Sequence, residues 1–195
     1  MTRKLGATGF QLVYSLVSFA TLALIYSAFV AAPPSDLPGS GEIGWIVATL
    51  LMLPALVLLA GSFFGNPALP TPMAEKQALA APHGVFHVTR HPMMWGIALW
   101  ALAHITLHWS WRTTITAAAM GVLALVGAHL QDRKKRAIMG EAWAEWESKT
   151  SYWPRLSGFA KAGALPWAVG LILFIFLSWL HVPLAGIQAG IWRWF

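Results

Sequence analysis

The amino-acid sequence predicts an all-α membrane protein: a polytopic transmembrane helical bundle with about five spans and one amphipathic helix on the inner surface. Hydrophobic residues make up 57% of the 195 residues and charged residues only 10%, well below the roughly 25% charge of soluble domains. The mean hydropathy is +0.61. A chain of this length holds five segments of about 20 residues each, so residues 1–195 are predicted to form a single transmembrane domain. The sequence contains no cysteine, which excludes disulfides and thiolate chemistry.

Five apolar runs account for the predicted spans: 10–32, 44–64, 92–109, 113–131 and 166–181. The first run is longer than the apolar region of a signal peptide and lacks a convincing cleavage site, so we expect it to be retained. Pro54 predicts a kink in the second run, because proline removes a backbone donor. The third and fourth runs are joined by a very short turn and must therefore be antiparallel neighbours. Residues 183–195 either continue the fifth span or fold back along the interface.

The positively charged residues orient these spans. With the N-terminus in the cytoplasm, 11 Lys and Arg residues lie on the inner side, and only two, Arg112 and Arg193, lie on the outer side. This is a strong positive-inside signal. The net charge of +6 then follows from topology and from contact with anionic lipids of the bilayer, so no nucleic-acid partner is expected.

Two inner segments are long enough to take part in function. Residues 65–90 are rich in proline and alanine and predict an irregular loop that ends in a short helix. Residues 131–156 place Trp143 and Trp146 on one helical face, away from Arg133 and the other charged side chains. The pattern predicts an amphipathic helix on the inner surface, with its tryptophans in the headgroup layer. Lipid anchoring without any chemistry is an alternative interpretation of this helix.

Ionisable residues gather where the third span begins. Arg90 and His91 open directly onto the apolar run that carries His104 and His108. A charge at mid-depth in a bilayer costs about 2.5 to 3.5 kcal/mol, so such groups usually face other helices, a cavity or a ligand. We expect Arg90 and His91 to serve ligand binding more than folding, because side chains at an aqueous boundary contribute little to stability.

The histidines divide into two groups along the membrane normal. The third span places His104 about 20 Å from His91 at 1.5 Å per residue. The predicted outer group is therefore His104, His108 and His181, and the inner group is His83, His87, His91 and His129. The outer group suits either metal or haem ligation, with His104 and His108 at helical spacing, or interhelical hydrogen bonding.

The inner group has its own alternatives. His83, His87 and His91 recur every four residues, which is the spacing of metal ligands on a helix, but the residues between them are weak helix formers and Pro92 disfavours helix at His91. His129 beside Asp132 is either an acid/base pair or a polar helix end.

Residues 84–96 and 99–104 resemble the NnrU family of membrane proteins. Residues 132–136 and 140–143, followed by Thr150, Ser151 and Pro154, match the second block of that family in order and spacing. The resemblance is strongest over residues 8–156, and the joint pattern is more specific than an Arg-His-Pro motif alone.

This resemblance implies a protein of the bacterial inner membrane that is linked to nitrogen-oxide metabolism and binds a hydrophobic or small-molecule ligand. The family is similar to the 15-cis-zeta-carotene isomerases, which bind haem b. A haem-linked isomerase or a redox accessory is therefore implied, with His104 at a ligand position. Many relatives carry a further N-terminal helix with a Leu-His-Ser motif, and the sequence begins after that position. A second ligand would then have to come from His108, His181 or elsewhere. The resemblance does not indicate an oligomeric state.

A second resemblance is to the isoprenylcysteine methyltransferases, which bind S-adenosylmethionine at the inner membrane face. It implies that Arg90 and His91 bind the carboxylate of that cofactor, by the forked pairing that a guanidinium allows. The segment from Asp132 to Trp146, with Glu141, would complete the pocket. The catalytic candidates at this inner face are Arg90, His91, His129 and Asp132. A non-enzymatic membrane accessory is the third function class that the sequence leaves open.

Overall fold

Helices account for most of the chain in the computed structural model, which describes residues 2–195. For residues 2–5 and 7 it describes the backbone alone, so the charges predicted on the inner side at Arg3 and Lys4 lie outside the described side chains. Among the described residues there is no β-strand. The α-helices are α1 (Thr2–Ala31), α2 (Gly41–Gly61), α3 (Ala74–Leu79), α4 (Pro92–Thr106), α5 (Trp111–Met139), α6 (Glu141–Lys149) and α7 (Ala164–Ala185). The predicted all-α transmembrane fold is confirmed.

Of the five predicted spans, the third corresponds to α4, which is shorter than a full membrane span. Four described helices, α1, α2, α5 and α7, are long and apolar enough to cross a membrane, whereas α4 has only 15 residues. Fifteen residues reach about 22 Å at 1.5 Å each, which is less than the roughly 30 Å of the hydrocarbon core. Pro92 occupies the first helical turn of α4, where its missing N–H is harmless. The helix ends before His108, whose φ is 48°.

The helix α4 lies at the centre of the bundle, between α2 and α5, while α2 also packs against α7. Small residues allow these helices to approach closely. A Cβ atom on Gly96 would lie 2.8 Å from the Ala55 carbonyl oxygen, and one on Gly170 would lie 2.7 Å from Val57 Cγ2. Close backbone approach at small residues is how helices pack where lipid replaces water. Apolar side chains such as Leu123 and Ile172 cover the exterior, as contact with the bilayer requires.

The segment predicted as one amphipathic helix on the lipid surface is divided between two helices, and its apolar face is covered by protein. The helix α5 continues to Met139, and the chain then turns at Gly140, with φ of 54°, into the short helix α6. Trp143 and Trp146 are 0% and 1% exposed, so they are not in the headgroup layer. They pack against Phe86, Ala68 and Ala78, which belong to the proline-rich segment 65–90. That segment folds back over α6 and buries the apolar face that the sequence pattern assigned to lipid.

The C-terminal segment folds back along the bundle. The helix α7 passes through Pro183 and ends at Gly186, which adopts the left-handed conformation. Beyond it, the Trp192 indole Nε1 donates to the Ile175 carbonyl oxygen at 3.0 Å. Arg193 then forms an ion pair with Glu42 at the start of α2. Residues 187–195 therefore return to the end of the bundle where α2 begins.

Charged residues of the described chain lie at the two ends of the bundle. At one end, Asp36 accepts a hydrogen bond from the Trp111 backbone N–H at 2.9 Å, close to Arg112. At the other end, Lys149 Nζ donates to the Leu79 carbonyl oxygen at 2.9 Å. We call these the outer and inner ends, after the predicted topology. Which end faces the cytoplasm stays a prediction.

Candidate functional site

The inner end contains a buried network of ionisable side chains, which we call the inner ion network: Arg90, His91, Asp132 and Glu147. Arg90 Nη2 donates to Asp132 Oδ2 at 2.6 Å, and Arg90 Nε lies 3.1 Å from both carboxylate oxygens. His91 Nε2 donates to Asp132 Oδ1 at 2.8 Å. Arg90 Nη2 also lies 3.3 Å from Glu147 Oε1. Arg90, His91 and Asp132 are 9%, 2% and 3% exposed, so the charges of Arg90 and Asp132 are screened little by water.

The local backbone explains why Arg90 and His91 face inward. The Arg90 N–H donates to the Ser151 carbonyl oxygen at 2.8 Å, and the Arg155 N–H donates to the Val88 carbonyl oxygen at 2.9 Å. The Thr89 hydroxyl donates to the Tyr152 carbonyl oxygen at 2.8 Å. The segment before α4 is thus held against the segment after α6, and α5 supplies Asp132 to both.

Three members of this site were not predicted from the sequence. Glu147 bridges Arg90 to Arg136, whose Nε donates to Glu147 Oε2 at 2.7 Å. Gln131 Oε1 lies 3.2 Å from His91 Nδ1. The Tyr152 ring packs edge-on against His91 and lies under the Arg90 guanidinium, 5.3 Å from its Cζ atom. Glu147 follows Trp143 by one helical turn, and that spacing was the available signal for its inward position.

Tyr152 has a perturbed ionisation. Burial raises the pKa of its phenol, the negative charge of Asp132 adds to the effect, and Arg90 opposes it. The phenol therefore stays protonated at neutral pH and donates to the Leu125 carbonyl oxygen at 3.1 Å.

The inner ion network corrects the expectation that Arg90 and His91 stand at an aqueous boundary. Both are buried, and the guanidinium already has carboxylate partners within the chain. Truncating either side of a buried ion pair is strongly destabilising. The arrangement therefore suits a structural role that holds α4, α5 and α6 together.

Two other predicted members of the inner site lie outside this network. His129 and Glu141 are both exposed. Within the described part of the chain, the side-chain partners of Asp132 are Arg90 and His91, so the expected acid/base pair of His129 with Asp132 is not formed. Glu141 begins α6 on the side that faces away from the buried tryptophans.

A large apolar cavity lies at the outer end of the bundle. This outer cavity has a volume of about 540 Å³ and is bounded by residues of α1, α2, α4, α5 and α7. Most of its walls are apolar, and His104 and His181 line it together with Arg112. A second cavity of about 410 Å³ adjoins it, with Trp100 and His181 contributing to the walls of both. Apolar cavities with a few placed polar groups are typical sites for small ligands.

His104 and His181 lie next to each other in the wall of this cavity and make matching hydrogen bonds. Their ring centroids are 6.4 Å apart and the ring planes differ by 30°. His104 Nδ1 donates to the Trp100 carbonyl oxygen at 2.8 Å, and His181 Nδ1 donates to the Leu177 carbonyl oxygen at 2.7 Å. In the neutral imidazole this bond fixes the proton on Nδ1 and leaves the Nε2 lone pair free. Each Nε2 is therefore left as an acceptor, which could take a hydrogen bond or a metal ion.

The other histidines do not share this geometry. The predicted helical pair of His104 with His108 is not formed, because α4 ends at Thr106 and His108 is exposed in the following turn. His83 and His87 lie at the two ends of a short 3-10 turn, so the predicted four-residue periodicity does not place them on one α-helical face. Across the residues that the structure describes, no three His, Asp or Glu side chains gather as ligands for a metal ion.

The bundle, its lipid-facing apolar surface and its buried polar sites define a polytopic helical membrane protein. A family model described as NnrU protein matches residues 1–189, and the chain therefore belongs to the NnrU family. Parts of the chain are also similar to two curated plant proteins named 15-cis-zeta-carotene isomerase, chloroplastic. It is 38% identical to the Zea mays protein over 73 residues, which are 36% of this chain and 19% of that protein.

The second plant relative agrees with the first. The chain is 36% identical to the Arabidopsis thaliana isomerase over 85 residues, which are 43% of this chain and 23% of that protein. The similarity thus spans about a fifth of the length of each isomerase. No solved structure matches the chain.

Proposed function

We propose that this protein is a haem-linked membrane isomerase, in which His104 and His181 hold haem b within the outer cavity. The pair of neighbouring imidazoles carries the proposal. Their ring centroids are 6.4 Å apart, and each has its Nδ1 bonded to a backbone carbonyl, so both Nε2 atoms would be available to hold one iron.

The hydrogen bonds of the two histidines support haem ligation further. Each Nδ1 donates to a backbone carbonyl four residues earlier in its own helix, and such a bond fixes ring orientation and raises ligand basicity. The residues thus fit a bis-histidine haem iron, which supplies a redox-active centre when bound. His104 is the ligand candidate that the family resemblance implies, and His181 is one of the partners that the sequence left open.

The adjoining cavity suits a hydrophobic substrate. Its walls are formed by apolar side chains such as Met52, Leu59 and Leu180, and it shares Trp100 and His181 with the outer cavity. A long apolar molecule that dissolves in the bilayer would be held here beside the proposed haem and away from water. The plant relatives, named as isomerases of a carotene, support a polyene as the class of substrate.

The experiment is an absorption spectrum of the protein purified from cells supplied with haem. We expect a Soret band with the visible bands of bis-histidine ligation. Either His104→Ala or His181→Ala should remove the low-spin signature, whereas His108→Ala is the matched control on the same side and should leave it intact. A colourless wild-type protein, or one whose spectrum survives loss of both His104 and His181, would refute the haem proposal.

The isomerase activity needs a separate measurement. The haem-loaded protein in lipid vesicles should convert a cis-polyene such as 15-cis-zeta-carotene to its isomer, as followed by chromatography. A haem-loaded protein that leaves polyenes unchanged but alters nitrogen-oxide reduction in bacterial membranes would favour the redox-accessory function that the family resemblance implies. We place either activity in the bacterial inner membrane.

The methyltransferase alternative has weaker support. Binding of S-adenosylmethionine through Arg90 would require that guanidinium to exchange its bonds to Asp132 and Glu147 for the carboxylate of the cofactor. Calorimetric titration with S-adenosylmethionine tests this alternative, and we expect no heat of binding.

A further inference from the structure

Arg112 lines the outer cavity and has a hydrogen-bonding group with no partner among the described residues. Its Nη1 donates to the carbonyl oxygens of Phe29 and Ala32, at 3.1 and 2.9 Å, at the end of α1. Its Cζ atom lies 4.6 Å from the Phe29 ring centroid. The Nε–H of Arg112 is buried and has no described hydrogen-bond partner. In the described part of the chain, no carboxylate pairs with it.

The electrostatics of the cavity make Arg112 distinctive. Among the described residues that line the cavity, it is the only one with a permanent charge, and no acidic side chain faces it there. Thr49 lines the same cavity, and its hydroxyl oxygen is also buried without a described partner. A buried donor without a partner loses its hydrogen bonds to water and gains none in the protein, which costs free energy. The cost is larger for a charged donor. The cavity is thus complementary to a largely apolar molecule that carries a carboxylate.

We propose that Arg112 binds a propionate carboxylate of haem, with the guanidinium Nε–H as a donor and Thr49 as a further polar contact. The proposal rests on the proposed function, because it takes the ligand of His104 and His181 as haem. Because Arg112 lies at the start of α5, a propionate that it binds would lie at the outer end of the bundle. Binding would also join the haem to the end of α1, through the bonds of Arg112 to that helix.

The role of Arg112 in holding α1 is the competing explanation, and a modified ligand separates the two. Haem and haem dimethyl ester have the same iron and the same apolar ring, but the ester has no carboxylate charge. Apo-protein reconstituted in nanodiscs would be titrated with each compound by absorbance. The wild-type protein should bind haem about tenfold or more tightly than the ester, since a hydrogen bond to a charged group contributes at least about this factor.

The same two titrations are made with the variant Arg112→Gln. It should no longer prefer haem to the ester: haem should bind more weakly, the ester should bind as in the wild type, and the bis-histidine spectrum should be unchanged. Arg193→Gln is the matched control, because it removes an equal charge from the same end at a residue that pairs with Glu42. That control should keep the wild-type preference for haem.

The outcomes are distinct from those of the proposed function. A wild-type protein that binds haem with a bis-histidine spectrum but does not distinguish it from the ester would overturn the role of Arg112 alone. Equal weakening of both compounds in Arg112→Gln would also overturn it and assign Arg112 to holding α1. Absence of any haem binding to the wild-type protein would refute the proposed function and this inference together. The wild-type comparison decides the matter even if Arg112→Gln does not fold.

Discussion

Replacing Asp132 with alanine should destabilise the protein more than any change to its exposed ion pairs. Asp132 is 3% exposed and accepts hydrogen bonds from both Arg90 and His91. Its loss leaves the buried guanidinium with Glu147 alone, at 3.3 Å, and leaves His91 Nε2 without its acceptor. Removing one partner of a buried ion pair costs about 3 to 5 kcal/mol.

Thermal unfolding in detergent measures this effect. At roughly 2 to 4 °C per kcal/mol for a chain of this size, the melting temperature of Asp132→Ala should fall by about 6 to 20 °C. Arg136→Gln is the matched control, because Arg136 pairs with Glu147 in the same network but its side chain is 52% exposed. Exposed pairs contribute less than about 1 kcal/mol, so this control should melt within a few degrees of wild type.

The opposite result would refute the structural role of the inner ion network. If Asp132→Ala and Arg136→Gln melted alike, close to the wild-type temperature, the buried bonds would contribute no more than the exposed ones. Loss of ligand binding in such a stable Asp132→Ala variant would then support the original expectation that Arg90 and His91 serve a ligand.

Three further predictions concern other parts of the molecule. Cysteine labelling of a Glu75→Cys variant should succeed from the cytoplasmic side, since the chain has no native cysteine; modification only from the periplasmic side would reverse the topology. Trp146→Ala should lower the free energy of unfolding by about 3 to 5 kcal/mol, as denaturant titration would show, whereas Trp153→Ala, at a residue that is 68% exposed, should have little effect. Because the pKa of Tyr152 is raised in the folded protein, the unfolded state loses its proton first, and stability should decline as pH rises above about 10; Tyr152→Phe should reduce that decline, and an unchanged decline would contradict it.

The fold class was predictable because hydropathy alone fixes which segments enter lipid. The approximate positions of the helices followed from the five apolar runs. The length of α4 did not, because the apolar run continues from Thr106 to Trp109 and gives no sign of where the helix ends. The local conformation at His108 ended the helix there. The surface helix failed for a different reason. An apolar face with Trp143 and Trp146 has the same pattern whether it meets lipid or protein, and only the return of segment 65–90 over α6 decided between them.

For the candidate sites, the sequence predicted how deep each residue lies along the membrane normal but not which way its side chain faces. Counting residues along the spans correctly placed Asp132 at the level of Arg90 and His91, and His181 at the level of His104. Helix rotation could not be read from a nearly uniform apolar sequence, so His129 was expected in the site although it is exposed. Glu147 was missed because its contact with Arg90 depends on the turn at Gly140.

The inner ion network and the outer cavity are connected through α4. Arg90 and His91 precede the first turn of this helix, and His104 lies in its last turn, about 20 Å away at 1.5 Å per residue. Gly96, midway between them, holds the helix against the backbone of α2 at Ala55. A helix fixed at its start and at its middle has little freedom to slide or rotate at its end. We therefore expect the bonds of Arg90 and His91 to Asp132 to help fix the height and rotation at which His104 meets His181, so that a change in the inner ion network would act on the outer cavity through α4.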